Sequence, residues 1–80
     1  MNLAKKVIES DYCLYIIYQE EDENDYWILE ITKDTWEHYF KGDREYTTEN
    51  ADIYLNDDNN TNVGYCWGAF DSLEDAEAEI

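Results

Sequence analysis

The sequence predicts an α+β fold. The expected architecture is an antiparallel sheet of about four strands, arranged as two hairpins, with short helices, one of them C-terminal, packed on one face. Three observations predict it. The runs 12–19 and 26–32 are short, apolar and rich in β-formers, and a polar link joins them. The runs 52–56 and 63–70 flank a second cluster of turn formers, "DDNNTN". Residues 34–41 and 72–80 place apolar side chains at the three-to-four spacing of a helix and have capping residues ahead of them.

Taken in order, Asn2 to Ile8 are expected to form a helical turn or two, with Leu3, Val7 and Ile8 on one side. Strand 12–19 puts Tyr12, Leu14, Ile16 and Tyr18 on one face and Cys13, Tyr15 and Ile17 on the other. Both faces are apolar, so this strand belongs at the centre of a sheet or under two layers. Strand 26–32 sets Trp27, Leu29 and Ile31 against Tyr26, Ile28 and Glu30. In "DTWEHYFK", Asp34 or Thr35 caps a helix whose inner side is Trp36, Tyr39 and Phe40, and Gly42 stops it. Residues 43–52 read as irregular or extended. "DIYLN" reads as a strand with Ile53 and Leu55 inward, and "VGYCWGAF" as its returning partner, with Val63, Tyr65, Trp67 and Ala69 on one face. "SLEDAEAEI" is a helix with Ser72 and Asp75 close to a capping box and Leu73, Ala76 and Ile80 inward.

Residues 1–80 are one acidic domain by length. Three Trp, eight Tyr and two Phe supply core material, since each aromatic buries about 150–250 Å². The net charge of −16 is the abnormal feature, because solubility needs a magnitude of only about 2–8. Such a charge excludes direct binding to nucleic acid or to an anionic membrane and leaves a basic protein surface or a cation as partner. Lys5 and Lys6 imitate the start of a secretory signal, but "VIESDY" breaks any apolar run at Glu9, and a cytoplasmic protein is expected. Cys13 and Cys66 are then expected to be reduced, largely buried in strands and facing each other across the sheet.

Chemistry has little to work with. His38 stands alone on a helix, Ser72 is a cap, and Cys13 lies on an apolar face. No nucleophile elbow, phosphate loop or zinc spacing occurs, so the chain reads as a non-enzyme with no catalytic residues and no cofactor. "DDNNTNVG" offers oxygen ligands at alternate positions, but its sixth and twelfth places hold Asn62 and Gly68, or Val63 and Ala69, instead of the Gly and Glu of a calcium loop. No metal site is assigned.

The acids themselves are informative. "QEEDENDY" hangs Glu20, Glu21, Asp22, Glu23 and Asp25 on the link between two strands. The last helix supplies Asp71, Asp75 and Glu79 as a row at four-residue spacing, with Glu74 and Glu77 beside it. Asp43, Glu45, Glu49 and Asp52 lie between, and Asp57 and Asp58 open the second turn. Lys5, Lys6, Lys33, Lys41 and Arg44 are the only Lys and Arg, so 7–32 and 45–80 carry none. Carboxylates about 6–7 Å apart on strands or about 5–6 Å apart on helices approximate a row of phosphates.

In size, charge and patterning the whole chain resembles the small, acidic, phage-encoded anti-defence proteins of the DNA-mimic type: anti-CRISPR proteins, anti-restriction proteins and uracil-glycosylase inhibitors. The resemblance carries no residue roles. It implies an inhibitor acting in the cytoplasm of an infected bacterium on a basic nucleic-acid-binding protein or ribonucleoprotein, such as a CRISPR or restriction effector. The expected contact residues are Glu20, Glu21, Asp22, Glu23 and Asp25 at the tip and Asp71, Glu74, Asp75 and Glu79 at the last helix, with Tyr18, Tyr26, Tyr46 and Tyr54 as aromatic anchors. The same electrostatics fit an immunity protein or antitoxin against a basic toxin nuclease, and an acidic cation-binding protein is the alternative from another class.

The charge predicts how salt acts on stability. The Debye length shrinks from about 30 Å at 0.01 M to about 10 Å at 0.1 M salt, so the melting temperature rises with sodium chloride over that range. A flat or falling trend in a thermal melt would place the carboxylates in favourable networks instead.

Overall fold

The computed structural model describes residues 1–59 and 64–80. Its elements run β1 (Asn2–Glu9), β2 (Cys13–Glu20), β3 (Tyr26–Thr32), α1 (Lys33–Phe40), α2 (Thr48–Asn56), β4 (Tyr65–Phe70) and α3 (Leu73–Ala78). The four strands make one antiparallel sheet in the order β1-β2-β3-β4. The α+β class, the four-stranded antiparallel sheet and the C-terminal helix are as the sequence predicts. Val63 and the second half of the "DDNNTN" turn, residues 60–62, lie outside the described residues.

β2 and β3 alternate as expected. Leu14, Ile16 and Ile31 are buried on one face with Trp36, Ala51 and Tyr54, and Ile17 and Ile28 on the other with Ala76. Burying a side chain of this kind contributes about 1.5–3 kcal/mol, so both faces need a cover. The helices therefore divide: α1 and α2 lie on the first face and α3 on the second. The expectation of helices on one face only is corrected by Ile17 and Ile28, which need a layer of their own. No helix among the described residues is long and apolar enough to cross a membrane.

Two elements differ from expectation. Residues 2–9 form a strand, not a helical turn. The register of β1 on β2 shifts between Ala4 and Lys6, a β-bulge at Lys5. The extra residue changes the phase of the alternation, so Ala4 and Val7 both pack on the α1–α2 face while Ile8 packs on the α3 face. That phase jump imitates a helical spacing. Residues 48–56 form a helix where 52–56 reads as a strand. Thr47 caps it by accepting a hydrogen bond from the Asn50 backbone N–H at 3.2 Å, and Ala51 and Tyr54, three apart, are buried. Ile53, expected inward, is 51% exposed. With 52–56 helical, the expected hairpin between 52–56 and 63–70 does not form; the two hairpins are β1–β2 and β2–β3, and β4 pairs with β3 as a sheet edge.

Capping accounts for the helix ends. The Thr32 hydroxyl, not Asp34 or Thr35, caps α1 by accepting from the Thr35 N–H at 3.1 Å. Lys41 closes it in the left-handed conformation, and the Gly42 N–H reaches the Glu37 carbonyl at 3.0 Å. Ser72 accepts from the Asp75 N–H at 3.0 Å, as predicted. Trp36, with no solvent exposure, packs against the rings of Phe40, Tyr46 and Tyr54 and donates its indole N–H to the Arg44 carbonyl at 2.9 Å.

Side chains from α2 hold β1 in place. The Asp52 carboxylate accepts the Ala4 N–H at 2.7 Å beside the bulge. Asn56 accepts from the Asn2 N–H at 2.7 Å and donates to the Asn2 carbonyl at 2.8 Å. Asp52→Ala removes a negative charge from an over-charged chain yet is expected to destabilise it, by about 1.5–3 kcal/mol for a lost charge-assisted hydrogen bond. Urea unfolding of the variant checks the sign; a gain in stability would mean that charge relief outweighs the bond.

Candidate functional site

No charged residue is buried among the described residues, but the carboxylates separate into two groups by what they touch. One group is used inside the molecule. Glu9 pairs with Lys33 and Glu77 with Lys6, both at 2.6 Å. The second pair bridges β1 and α3, so one acid of the last helix is neutralised by a residue far away in sequence. Asp52 holds β1, as above. Asp57 accepts a hydrogen bond from the Tyr39 hydroxyl and another from the Asn59 N–H at 2.9 Å. These bonds hold its carboxyl below the usual range, the tyrosine bond foremost. Burial, and then that carboxylate, push the Tyr39 phenol up to about 12.

The second group faces solvent. Glu20, Glu21, Asp22, Glu23 and Asp25 are all exposed. The tip that carries them is nonetheless built. The Glu23 N–H reaches the Glu20 carbonyl at 3.0 Å, the Glu21 N–H reaches the Met1 carbonyl at 2.9 Å, and the Gln19 amide donates to the Asn24 carbonyl at 3.1 Å. The turn from Glu20 to Glu23 brings two carboxylates together. The Glu20 charge, more than partial desolvation or Asp25, pushes the Glu23 carboxyl above its ordinary value. The one ion pair at the tip is loose, 3.9 Å between Glu21 and the Met1 amine.

Sheet register gathers further acids at the same end. Asn2 pairs with Glu20, and Asn56 is tied to Asn2, so Asp57 and Asp58 at the end of α2 stand on the other side of the N-terminus from the tip. Tyr26 pairs with Phe70, which places Asp71 beyond the end of β4, at the Asp25 end of the sheet. Asp71 precedes the Ser72 cap and Glu79 is the residue that closes α3, so the expected row of Asp71, Asp75 and Glu79 on one helix face reduces to Asp75 and Glu79. Glu74, Asp75 and Glu79 remain exposed on the helix. Asp71 belongs with the tip, a grouping that depends on the β3–β4 register and has no signal in the local sequence.

The expected aromatic anchors are revised. Tyr54 is buried in the core at 3% exposure because it lies on the inner side of α2. Tyr18, Tyr26 and Tyr46 are half-buried. Tyr12 and Tyr65 are the large exposed aromatics. The cysteines are free, as expected, but they do not face each other. Cys13 is half-buried and Cys66 exposed. Cys13 shares its face with Tyr15, whereas Cys66 pairs with Leu29 on the opposite face and lies 3.2 Å from the Tyr18 hydroxyl. Cys66 is exposed because β4 is an edge strand that α1 and α2 do not cover. His38 is exposed on α1. Among the described residues, no group of three or more His, Cys, Asp and Glu is arranged to hold a metal ion.

Comparison with protein-family models, with curated proteins and with solved structures finds no match for this chain.

The repulsion at the tip has a testable sign. A carboxyl whose folded pKa lies above its unfolded value contributes stability below the ordinary carboxylate pKa and loses it as pH rises through the folded value. At pH 7 the Glu23 charge therefore opposes folding, and Glu23→Gln is expected to melt above the parent. The difference should vanish below about pH 4, where both side chains are neutral. A variant that melts below the parent at pH 7 would show that the Glu23 charge is compensated.

Proposed function

We propose that the chain is a non-enzymatic inhibitor that occupies the basic nucleic-acid-binding surface of a bacterial defence effector by DNA mimicry, in the cytoplasm of the infected cell. One observation carries this reading. The exposed tip Glu20–Asp25, with Asp58 and Asp71 at the same end, presents carboxylates that no ion pair consumes among the described residues, the loose Glu21 contact apart, and the loop holds them together against their own repulsion. A loop kept only for solubility would spread its charges. A loop that faces a row of Lys and Arg gains from holding them close, because the partner's charge replaces the repulsion by attraction.

The charge density also supports a mode of action. Long-range attraction speeds encounter and weakens steeply with salt. A surface shaped for phosphates that is instead filled by carboxylates is closed to nucleic acid. The chain then needs neither catalysis nor a cofactor, only occupancy.

The test uses the chain as bait in a bacterial lysate that contains candidate effectors, with elution by salt and by duplex DNA. Capture of a nucleic-acid-binding protein that duplex DNA releases is the expected result. Neutralising Glu20, Glu21, Asp22 and Glu23 together to Gln or Asn should abolish capture, mainly through a slower on-rate, while thermal stability is kept or increased. A second variant neutralises Asp71, Glu74, Asp75 and Glu79 and should weaken capture less, since three of these four belong to α3 and its end and not to the tip loop. Capture that survives both variants and is indifferent to DNA would overturn the mimic reading.

A further inference from the structure

The α3 face of the sheet carries a row that the acidic tip does not involve. Tyr15 on β2 pairs with Glu30 on β3, and Glu30 pairs with Tyr65 on β4. Residues directly opposite one another point to the same face, so Glu30 stands between two tyrosines. Two strand spacings separate Tyr15 from Tyr65, about 10 Å. Trp67, one row along, closes the side of this shelf. Its ring stacks on Tyr65 at 5.4 Å between centroids and meets Tyr15 edge-on at 6.3 Å. Tyr65 is 66% exposed, so α3, which covers Ile17 and Ile28, leaves this end of the face open.

Glu30 is the odd member. It is half-buried, it faces aromatic rings, and no cation pairs with it among the described residues. Lys6, the cation that reaches this face, is taken by Glu77 at 2.6 Å. The neighbouring Cys13 thiol is pushed up by burial and then by the Glu30 charge. The Cys13 thiol also hydrogen-bonds to the Glu30 carboxylate, which still has no cation partner among the described residues. A carboxylate beside aromatic rings that lacks a cation is a seat for one, since ring faces attract positive charge and the carboxylate completes it.

We infer that the Tyr15–Glu30–Tyr65 row, backed by Trp67, receives an arginine side chain of a basic protein partner. Charge complementarity commits the occupant. The net charge of −16 disfavours a second copy of this chain, and an anion is excluded by Glu30. Arginine fits better than lysine because its planar guanidinium both stacks on rings and takes a carboxylate with two hydrogen bonds. The inference rests on the reading that the partner is basic, and it names a short-range contact on a different surface from the tip.

The test is a titration of the isotope-labelled chain with a capped Gly-Arg-Gly peptide, followed by NMR, with Gly-Lys-Gly and Gly-Gln-Gly peptides beside it. The expected result is saturable shifts of the Trp67 indole and of the Cys13, Glu30 and Tyr65 amides, strongest for arginine. Glu30→Gln and Tyr65→Ala should each weaken binding about 2- to 5-fold, the range of one exposed cation–π or ion-pair contact. The variant neutralised at Glu20–Glu23 should keep the shifts, which separates this site from the tip. Shifts confined to the tip, or an affinity unchanged in Glu30→Gln, would overturn the inference and leave the proposed function standing. Retained shelf binding in a chain whose effector capture is indifferent to DNA would overturn the proposed function and leave the shelf.

Discussion

Leu14, Ile16 and Ile17 have no solvent exposure, and they belong to one strand with both parities occupied. That constraint organises the molecule. A strand buried on both faces must lie inside its sheet and under two layers, so β1 and β3 flank it and helices cover both sides. The chain spends α1 and α2 on one face, where Trp36 and Tyr54 fill the space. The short α3 is left for the other, where Ala76 meets Ile17 and Ile28. That cover reaches the Ile17–Ile28 row but not the next one. The exposure of Tyr65 and the open side of Trp67 are thus consequences of how the helices are allotted.

The same constraint sorts the acids. Desolvating an unpaired carboxylate costs several kcal/mol, whereas two charges 4 Å apart in water repel by about 1 kcal/mol. Crowding acids at the surface is therefore cheaper than burying any of them, and the buried aliphatic side chains offset it. Acids close to an internal donor are used, as Asp52 is by the Ala4 N–H and Asp57 by Tyr39. Of the remainder, Glu21, Asp22, Glu23, Asp25 and Asp71 lie beyond strand ends and Asp34, Glu49, Glu74 and Asp75 on exposed sides of helices, while Glu30 stays within β3. At the tip, backbone bonds fix the loop in spite of its charge, so repulsion is held in place and not relieved by spreading.

What could be read in the sequence follows from which signals are local. The β-former-rich run 26–32, polar only at Glu30 and Thr32 near its end, and the doubly apolar run 12–19 identify β3 and the central β2, because a short run of β-formers between polar links is a property of a single strand. Ser72 and the Trp36–Tyr39–Phe40 spacing likewise identify α3 and α1. β1 escaped because its bulge at Lys5 turns an alternating pattern into one that looks helical. α2 escaped because "DIYLN" is too short to tell period two from period three to four; the pair Thr47 and Asn50, with Ala51 and Tyr54 behind it, was the signal available. The tip carboxylates were legible because five in eight residues exceed the needs of any turn. The grouping of Asp71 with the tip, and the placing of Glu30 between two tyrosines, were not, because both need the pairing of β4 with β3 across an insertion of two helices.

The two surfaces differ in range as well as in place. Tyr26, where the tip joins β3, and Glu30 are four residues apart on one strand, about 13 Å at 3.3 Å per residue. That distance is about four steps of 3.4 Å along a DNA strand, so one basic groove has the length to meet both. It also exceeds the Debye length of about 8 Å at physiological salt, so the two surfaces act on a partner almost independently. On the proposed reading, the tip governs encounter, because its charges act at a distance and are weakened by salt. The shelf governs residence, because stacking and a paired carboxylate act only in contact. Charge alone would give a fast and indiscriminate association with any basic protein. A half-buried glutamate framed by rings adds a geometric requirement that a solvated lysine patch does not meet, and selectivity among basic partners would come from there.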